Sequence, residues 1–577
     1  MGGPPLPAFR LGDWLVDPSL NRLSRGGVVE HARPRLIELL VFLAKHAGQL
    51  VTKEQILDEV WQQRFVAESV LSRSVADLRQ LLGDEAGQPR FIETIPKRGY
   101  RLVAAVSWFA ARPAPLPEPS IVVLPFVDMA PGHDQEYFCD GLAEELTNGL
   151  AQLPGCRVVA RTSAFAFKGR SIDVREIGRQ LNVSTVLEGG VQRDGDRLRI
   201  TVQLIDAESG VHVWSHRFDC TNADLFAVED ETVSAVVAAL RVRMIEGREP
   251  SVIQGRTADP EAHDLYLRGR FLSARRSADA LAEAARHFQG AIDRDRGYAA
   301  AHAAIAECHA VAAFMLLQRP SDAYPRARAS AERALALAPD LADAHAVLGH
   351  ELGMYEWRWR EAEEHFRQAI ALNPGHAMAR VWYSHLLDAF GRFQDAIAQL
   401  ERACECDPLA PTVRMSLGLG RYHAGDVGQA VSQYLKVLEL APSFLLARFQ
   451  LGRAYGVLGR LEEAAEQQAK AAPAVPIALA FLASVQRRLG RIEQADASLA
   501  QLDDLSRTRY IGPFTRSCAY LWEPEQVTWL TRAFDEHEGQ VPMLNVDPGA
   551  AHLRRNPVFR ALLDRLGLPR VPVVPSA

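Results

Sequence analysis

Val66-Ala-Glu-Ser-Val-Leu-Ser-Arg-Ser-Val-Ala-Asp-Leu-Arg-Gln-Leu-Leu-Gly-Asp84, followed by Phe91-Ile-Glu-Thr-Ile-Pro-Lys-Arg-Gly-Tyr-Arg-Leu102, decides how the N-terminal part of the chain folds. Leu71, Val75, Leu78 and Leu82 recur at helical spacing and predict a buried stripe. Ser69, Ser72, Arg73, Ala76 and Arg79 form a second stripe of small or basic side chains, which can enter a groove. Residues 91–95 and 100–103 are β-rich runs joined by Pro96-Lys97-Arg98-Gly99, so two cations stand at a hairpin tip. Such a tip suits phosphates or a minor groove.

Working outward, residues 8–104 carry short strands at Phe9-Arg-Leu-Gly and Asn21-Arg-Leu, then Arg33-Pro-Arg-Leu-Ile-Glu-Leu-Leu-Val-Phe-Leu, Gly48-Gln-Leu-Val-Thr-Lys, Ile56-Leu-Asp-Glu-Val-Trp and Lys97-Arg-Gly-Tyr-Arg-Leu. This pattern resembles the winged-helix effector domain of the OmpR/PhoB class, in the form found in ToxR/CadC-like and HilA-like regulators. The resemblance implies a third helix in the major groove, a wing at the adjacent minor groove, and sequence-selective binding of duplex DNA. Carried over by position, Ser69, Ser72, Arg73 and Arg79 would face DNA, joined by Thr94, Lys97, Arg98 and Arg101 from the wing. The chain has fewer arginines on the helix than the best-known members, and Pro96 near the tip leaves open which side chain enters the minor groove. Members of the class act in pairs on direct repeats, so a dimer on DNA is implied, with RNA polymerase as a candidate partner.

Charge does little to support this reading. Residues 1–105 hold 14 Lys+Arg against 12 Asp+Glu, a net of +2, while the whole chain is −6. The alternative is that the arginines form an ordinary solvated face, and the DNA reading rests on their arrangement in helix, turn and wing.

At 577 residues the chain is long enough for about three or four domains, and a composition 48% hydrophobic and 24% charged indicates a soluble globular protein. Seven dispersed cysteines with no Cys-x-x-Cys predict a reducing cytoplasm rather than a disulfide framework; Cys404 and Cys406 read as packing residues. No membrane span is expected. Leu102 to Ala111 is uncharged but ends at Arg112, far short of the roughly 20 apolar residues a spanning helix needs. The uncharged run from Ala471 to Gln486 contains Pro473 and Pro476, and Met1-Gly-Gly-Pro-Pro-Leu-Pro lacks a signal peptide's basic start and apolar core.

Arg112-Pro-Ala-Pro-Leu-Pro-Glu-Pro-Ser predicts a semi-rigid linker. After it come a buried-type strand at Ile121-Val-Val-Leu-Pro-Phe, an amphipathic helix from Asp134 to Leu153, a strand at Arg157-Val-Val-Ala and a helix from Asp173 to Leu181. Strands at Val186–Gln192 and Leu198–Ile205 flank the turn signal Asp194-Gly-Asp, and Val211-His-Val-Trp follows. Leu124-Pro-Phe, Asp140-Gly-Leu, Leu187-Glu-Gly, Leu204-Ile-Asp-Ala and Trp214-Ser-His-Arg-Phe-Asp give residues 119–219 a resemblance to TolB N-terminal-like or FlgO-like α/β domains, which implies a fold rather than a chemistry. Trp214 and Phe218 read as core or interface aromatics.

From about 258 onward the chain repeats itself. Pro339, Pro374, Pro408 and Pro442 end helices, and Gly391, Gly425 and Gly459 mark turns at a spacing of 34 residues. Glu361 to Pro374 and Gln429 to Pro442 are clear units. The period resembles tetratricopeptide repeats, with four clear units between about 325 and 456 and degenerate ones at 282–315 and 460–500. The resemblance implies a superhelix whose groove binds a protein or peptide. Leu553-Arg-Arg-Asn-Pro-Val-Phe-Arg-Ala-Leu-Leu predicts a terminal capping helix.

The expected fold class is multidomain: an α+β winged helix (1–106), a Pro-rich linker (107–119), an α/β middle domain (120–222), a connecting helix and linker (223–257), an all-α tetratricopeptide-repeat solenoid (258–510) and a helical cap (511–577). An enzyme is not expected. None of the six lysines (45, 53, 97, 168, 436, 470) follows a glycine, which excludes the standard phosphate-binding loop, and zinc-helix and nucleophile-elbow motifs are missing. His212 and His216, and His302 and His309 beside Cys308, do not make a convincing metal set, so neither cofactor nor metal is expected. No receiver domain is expected ahead of the winged helix. The leading expectation is a cytoplasmic one-component transcriptional regulator whose solenoid takes the signal or a partner. The alternatives are a repeat-based scaffold and an accessory subunit of a signalling enzyme.

Overall fold

The computed structural model describes residues 9–18, 22–25, 28–32, 34–61, 68–85, 87–108, 119–130, 136–151, 156–194, 197–221, 255, 257–274 and 277–571, with short pieces between 227 and 235. Most of the proline-rich linker, the turn at Gly195, most of the connecting segment 223–257 and the side chain of Ser69 lie outside these residues. Two compact units are present, 1–117 and 118–577.

In the first unit the order is β1 (Phe9–Leu11), β2 (Trp14–Asp17), β3 (Arg22–Arg25), β4 (Val28–His31), α1 (Pro34–Lys45), β5 (Leu50–Thr52), α2 (Lys53–Ile56), α3 (Glu68–Leu82), β6 (Ile92–Ile95), β7 (Gly99–Leu102) and β8 (Val106–Trp108). Thr52 and Gln55 form a reciprocal capping box that starts α2, and the chain continues as a π-helical turn from Leu57 to Trp61. Where two short strands were expected at the start, four form, and β8 pairs with β1 to complete an antiparallel sheet in the order β4-β3-β2-β1-β8. A second sheet, β5-β7-β6, contains the wing. Leu71, Val75, Leu78 and Leu82 are all buried against Leu39, Leu40, Leu43 and Val51, as their spacing predicted.

The second unit begins with β9 (Ser120–Val123), β10 (Val127–Asp128), α4 (Glu136–Ala151), β11 (Arg157–Val158), α5 (Arg161–Phe165), α6 (Val174–Leu181), β12 (Thr185–Asp194), β13 (Arg197–Asp206) and β14 (His212–Thr221). The sheet order is β11-β9-β12-β13-β14, parallel among the first three and antiparallel thereafter, with β10 also pairing β12. The Asp134–Leu153 segment is not the amphipathic helix expected. Every residue from Phe138 to Thr147 is buried, Asp140, Glu144 and Glu145 included. The cause lies in the next element.

Seven helix pairs follow among the described residues: α7 and α8 (Pro260–Ser273, Ala278–Arg294), α9 and α10 (Ala299–Phe314, Pro320–Leu337), α11 and α12 (Ala342–Met354, Trp359–Leu372), α13 and α14 (Ala377–Ala389, Phe393–Cys406), α15 and α16 (Pro411–His423, Val427–Leu440), α17 and α18 (Leu445–Val457, Leu461–Ala471), and α19 and α20 (Pro476–Arg488, Ile492–Leu505). Helix α7 packs on α4 so closely that a Cβ on Gly141 would lie 2.5 Å from Leu267 Cδ2. Two of the buried acids of α4, Asp140 and Glu144, are met by cations. Arg270 Nε donates to Glu144 at 2.7 Å, Lys168 Nζ lies 2.6 Å from Asp140 and 2.7 Å from Glu136, and Arg161 lies 3.1 Å from Glu144. Asp407, between α14 and α15, accepts from the amide and hydroxyl of Ser163 at 2.9 and 2.6 Å. Sheet and repeats therefore share one apolar core, from Ile121 and Leu187 through Tyr266 and Phe288 to Leu417.

After α20 the chain forms α21 (Pro513–Cys518) and α22 (Glu525–Asp535), then runs through 3-10 turns at Pro542–Asn545, Pro548–Ala550 and Leu553–Arg555 into α23 (Pro557–Leu566). This segment does not stop at the end of the solenoid. It returns along the first helices of the earlier pairs, where Gln540 Nε2 donates to Phe314 O at 2.7 Å and Asn545 Nδ2 to Ala389 O at 3.0 Å. Glu538 is fully buried at the start of the return, accepting from Tyr510 OH at 2.8 Å and Phe514 N at 2.5 Å. Burial pushes its carboxyl up to about 7, and neighbouring Glu536 adds to the effect. Because the folded value lies above the free one, the proton stabilises the fold at low pH, and this contribution is lost as pH rises through about 7. Between about pH 6 and about pH 8 the second unit should lose roughly 1 kcal/mol through this group. Glu538→Gln should flatten that part of the profile in denaturant titrations, and an unchanged slope would contradict the assignment.

Candidate nucleic-acid interface

Helix α3 and the wing are joined by one arginine. Arg79 Nη2 donates to Ile92 O at 2.7 Å and to Thr94 Oγ1 at 2.8 Å, so its half-buried guanidinium bridges α3 to β6. A second tie sits at the helix end. Gly83 takes φ 67 and Asp84 N closes the last turn on Arg79 O at 2.8 Å, an ending that needs a left-handed residue. The buried Asp84 carboxylate then accepts from Arg90 N at 2.6 Å, Phe91 N at 3.2 Å and Ile92 N at 2.8 Å. Trp14 Nε1 donates to Leu82 O at 3.2 Å and fixes the helix end to the first sheet. Helix and wing are thus one rigid piece.

At the wing tip Arg98 N donates to Ile95 O at 3.0 Å, and Lys97 has φ 61. With Pro96 before it, this is a type II turn in which lysine holds the position that glycine usually takes. A side chain in the left-handed region costs roughly 1–2 kcal/mol. Gly99 is required for another reason: a Cβ there would lie 2.0 Å from Val51 O.

The expected contact residues divide into groups. Arg73, Lys97 and Arg98 are exposed, and their side chains have no ion pair or hydrogen bond among the described residues. Ser72 and Ala76 are exposed on the same helix face as Arg73. Arg79 and Thr94 bond each other, while Arg101 is spent on Glu93, with Nε 2.8 Å from Oε2. Arg79, Thr94 and Arg101 thus have partners within the domain, whereas Arg73, Lys97 and Arg98 do not among the described residues. Asp84 was missed by the sequence reading, although a Gly-Asp pair at a helix end shortly before a strand was its visible signal.

Arg79→Ala should remove the bridge and leave Ile92 O without its donor, lowering the stability of the first unit by roughly 1–2 kcal/mol. Because one of the two ties between helix and wing would then be lost, any ligand that touches both should bind more weakly than the stability loss alone explains. Unchanged thermal unfolding and unchanged binding would refute the bridge.

Among the described residues no helix is long and apolar enough to cross a membrane, and no group of three or more His, Cys, Asp or Glu could hold a metal ion.

Residues 29–102 match the family model described as transcriptional regulatory protein, C terminal, and residues 356–411 and 415–478 match that described as tetratricopeptide repeat. The chain is similar to a Rhizobium meliloti (strain 1021) protein provisionally named adenylate cyclase 3, 42% identical over 198 residues that make 34% of this chain and 34% of that protein. The transcriptional activator CadC of Escherichia coli (strain K12) is 39% identical over 122 residues, 19% of this chain and 24% of CadC. The transcriptional regulator HilA of Salmonella typhimurium is 24% identical over 406 residues, 68% of this chain and 69% of HilA. A solved structure described as the DNA binding domain of E. coli CadC is 39% identical and matched over its full length and 18% of this chain, with a TM-score of 0.17. The first two relatives are spanned over only 34% and 24% of their own lengths.

Proposed function

We propose, from the joining of a transcriptional-regulator winged helix to tetratricopeptide repeats, that this protein is a one-component transcriptional regulator that binds duplex DNA through α3 and the wing. The observation that carries the reading is the division of cations. Arg79 and Arg101 are consumed in building the surface, whereas Arg73 on the helix and Lys97 and Arg98 on the tip are left exposed and unpaired among the described residues. Side chains that only solvate a face have no need of a rigid frame or of a lysine held in a left-handed turn.

In this reading Ser69, Ser72 and Arg73 meet base edges in the major groove, and Lys97 and Arg98 meet the backbone or minor groove. Residues 1–106 form the DNA-binding part, 120–222 the middle domain, 258–510 the repeat surface that receives a protein or peptide partner, and 511–577 its C-terminal attachment. The protein works in the cytoplasm and pairs on DNA. It is not itself an enzyme. The relative with a provisional cyclase name supports a second reading, an accessory subunit of a signalling enzyme.

The test is fluorescence anisotropy of the full chain on duplex fragments from its own upstream region, across a salt series, with Arg73→Ala and Arg98→Ala. Tight binding should fall with salt, with a slope near −0.9 per neutralised phosphate. Arg73→Ala should cost roughly 1–3 kcal/mol and relax base preference, while Arg98→Ala should weaken all sequences alike. Equal affinity in both variants at matched salt would remove these residues from the interface, and co-purification of a catalytic subunit with no DNA affinity would favour the second reading.

A further inference from the structure

Stacked helix pairs of this kind present the first helix of each pair on an inner surface, where partners bind. Here that surface is occupied by the chain itself. From Ala346 to Met354 in α11, and from Val381 to Ala389 in α13, every residue is buried, which packing between neighbouring pairs alone would not achieve. The remaining cover comes from residues 537–549. They lie across the C-terminal ends of α9, α11, α13, α15 and α17 and supply donors to carbonyls that helix ends leave unsatisfied. His537 Nδ1 donates to Tyr355 O at 2.7 Å, Gln540 Nε2 to Phe314 O at 2.7 Å and Asn545 Nδ2 to Ala389 O at 3.0 Å. The imidazole of His537 stacks on Trp357 with ring centres 4.2 Å apart. Asp547 then enters a clamp, accepting from Tyr422 OH at 2.8 Å and Arg453 Nη2 at 2.6 Å.

This contact has the character of a bound ligand. Side-chain donors read helix ends one after another, and a single carboxylate is taken by an arginine and a tyrosine. The junction sets polar atoms beside the buried apolar side chains of Val541, Leu544 and Val546. Gln540 Oε1, Asn545 Oδ1, Trp357 Nε1, Asp388 Oδ1 and His385 Nδ1 are buried there without a hydrogen-bond partner among the described residues. Each buried polar atom left without a partner carries an uncompensated desolvation penalty, which lowers the cost of opening this contact.

We propose that the inner-helix face is a peptide-binding site held closed by the chain's own residues 537–549, and that the partner received by the solenoid is an extended acidic segment that displaces them. This rests on the reading of the repeats as a partner surface. The partner's carboxylate takes the place of Asp547 between Arg453 and Tyr422, and its amide or imidazole donors take the carbonyls of Phe314, Tyr355 and Ala389.

The test uses the full chain, its Asp547→Lys variant, and a fluorescein-labelled peptide of residues 536–550. In the variant, hydrogen exchange across 537–550 should accelerate by roughly tenfold or more. The labelled peptide should bind the variant roughly tenfold more tightly than it binds the wild type, where the tethered segment outcompetes it. A peptide carrying alanine at position 547 should bind neither. Unchanged exchange in the variant, or no peptide binding to a variant whose segment has opened, overturns the proposal. Should Asp547→Lys lose its helical circular dichroism, Asp547→Asn is read by the same two measurements with the same criteria. DNA affinity is measured in parallel, so its absence would count against the regulator reading and leave the result for this face intact.

Discussion

Asp84→Ala is expected to unfold the first unit at ordinary temperatures and to abolish DNA binding by the full chain. The carboxylate accepts from three consecutive amides, those of Arg90, Phe91 and Ile92, and Phe91 and Ile92 are themselves buried. Alanine leaves the amides of Phe91 and Ile92 without an acceptor in a space water cannot readily enter. At roughly 1–3 kcal/mol for each of the two buried amides, the loss is roughly 2–6 kcal/mol, at its upper end comparable with the whole stability of a small domain. Asp84→Asn keeps one acceptor oxygen but aims an amide at the other donor, so it should fall between wild type and alanine. Calorimetry of the full chain gives the order. An Asp84→Ala protein with an unshifted first transition would show that the wing is held by something else.

Gly99→Ala should be as damaging for a steric reason. The added Cβ would lie 2.0 Å from Val51 O and 2.9 Å from Thr52 Cα, both backbone atoms of the paired strand β5. No rotamer change relieves such a clash, so β5 and β7 must part, and Thr52, paired with Gly99, also begins the capping box of α2. The expected loss is about 4 kcal/mol or more, in the class of the most harmful single substitutions. Lys97→Gly, two residues away, should do the opposite to stability, because it removes a side chain from a left-handed position; the pair distinguishes steric need from turn preference. If Gly99→Ala melts with wild type, the strands are farther apart than the structure has them.

What the sequence made legible is what repeats or alternates. The two faces of α3 followed from Leu71, Val75, Leu78 and Leu82, and the solenoid from prolines and glycines at a fixed spacing. The earliest pair, α7 and α8, was missed as a unit because α8 ends without the proline. Asp295 does that work instead, accepting from Gly297 N at 2.8 Å and from Thr257 Oγ1 at 2.5 Å. Helix α4 looked half-solvated because its acids meet Arg161, Lys168 and Arg270, cations that only the folded chain brings near. Arg79 shares a face with Arg73, and its bond to Ile92 O on the neighbouring strand was not legible because it depends on an arginine's reach across the fold. The return of residues 537–550 leaves no periodic trace, since each of its contacts occurs once.

That return also imposes an order in time. Gln540 and Phe314, which it joins, are 226 residues apart in the chain. At a synthesis rate of about 5–20 residues per second, roughly 10–45 s separate the emergence of α9 from that of the residue that covers its end. Throughout that interval the nascent solenoid carries its inner face bare, open to chaperones and to any partner made nearby. Residues 537–549 emerge after every repeat they cover, so a premature stop shortly before Glu538 would release repeats whose inner face stays bare.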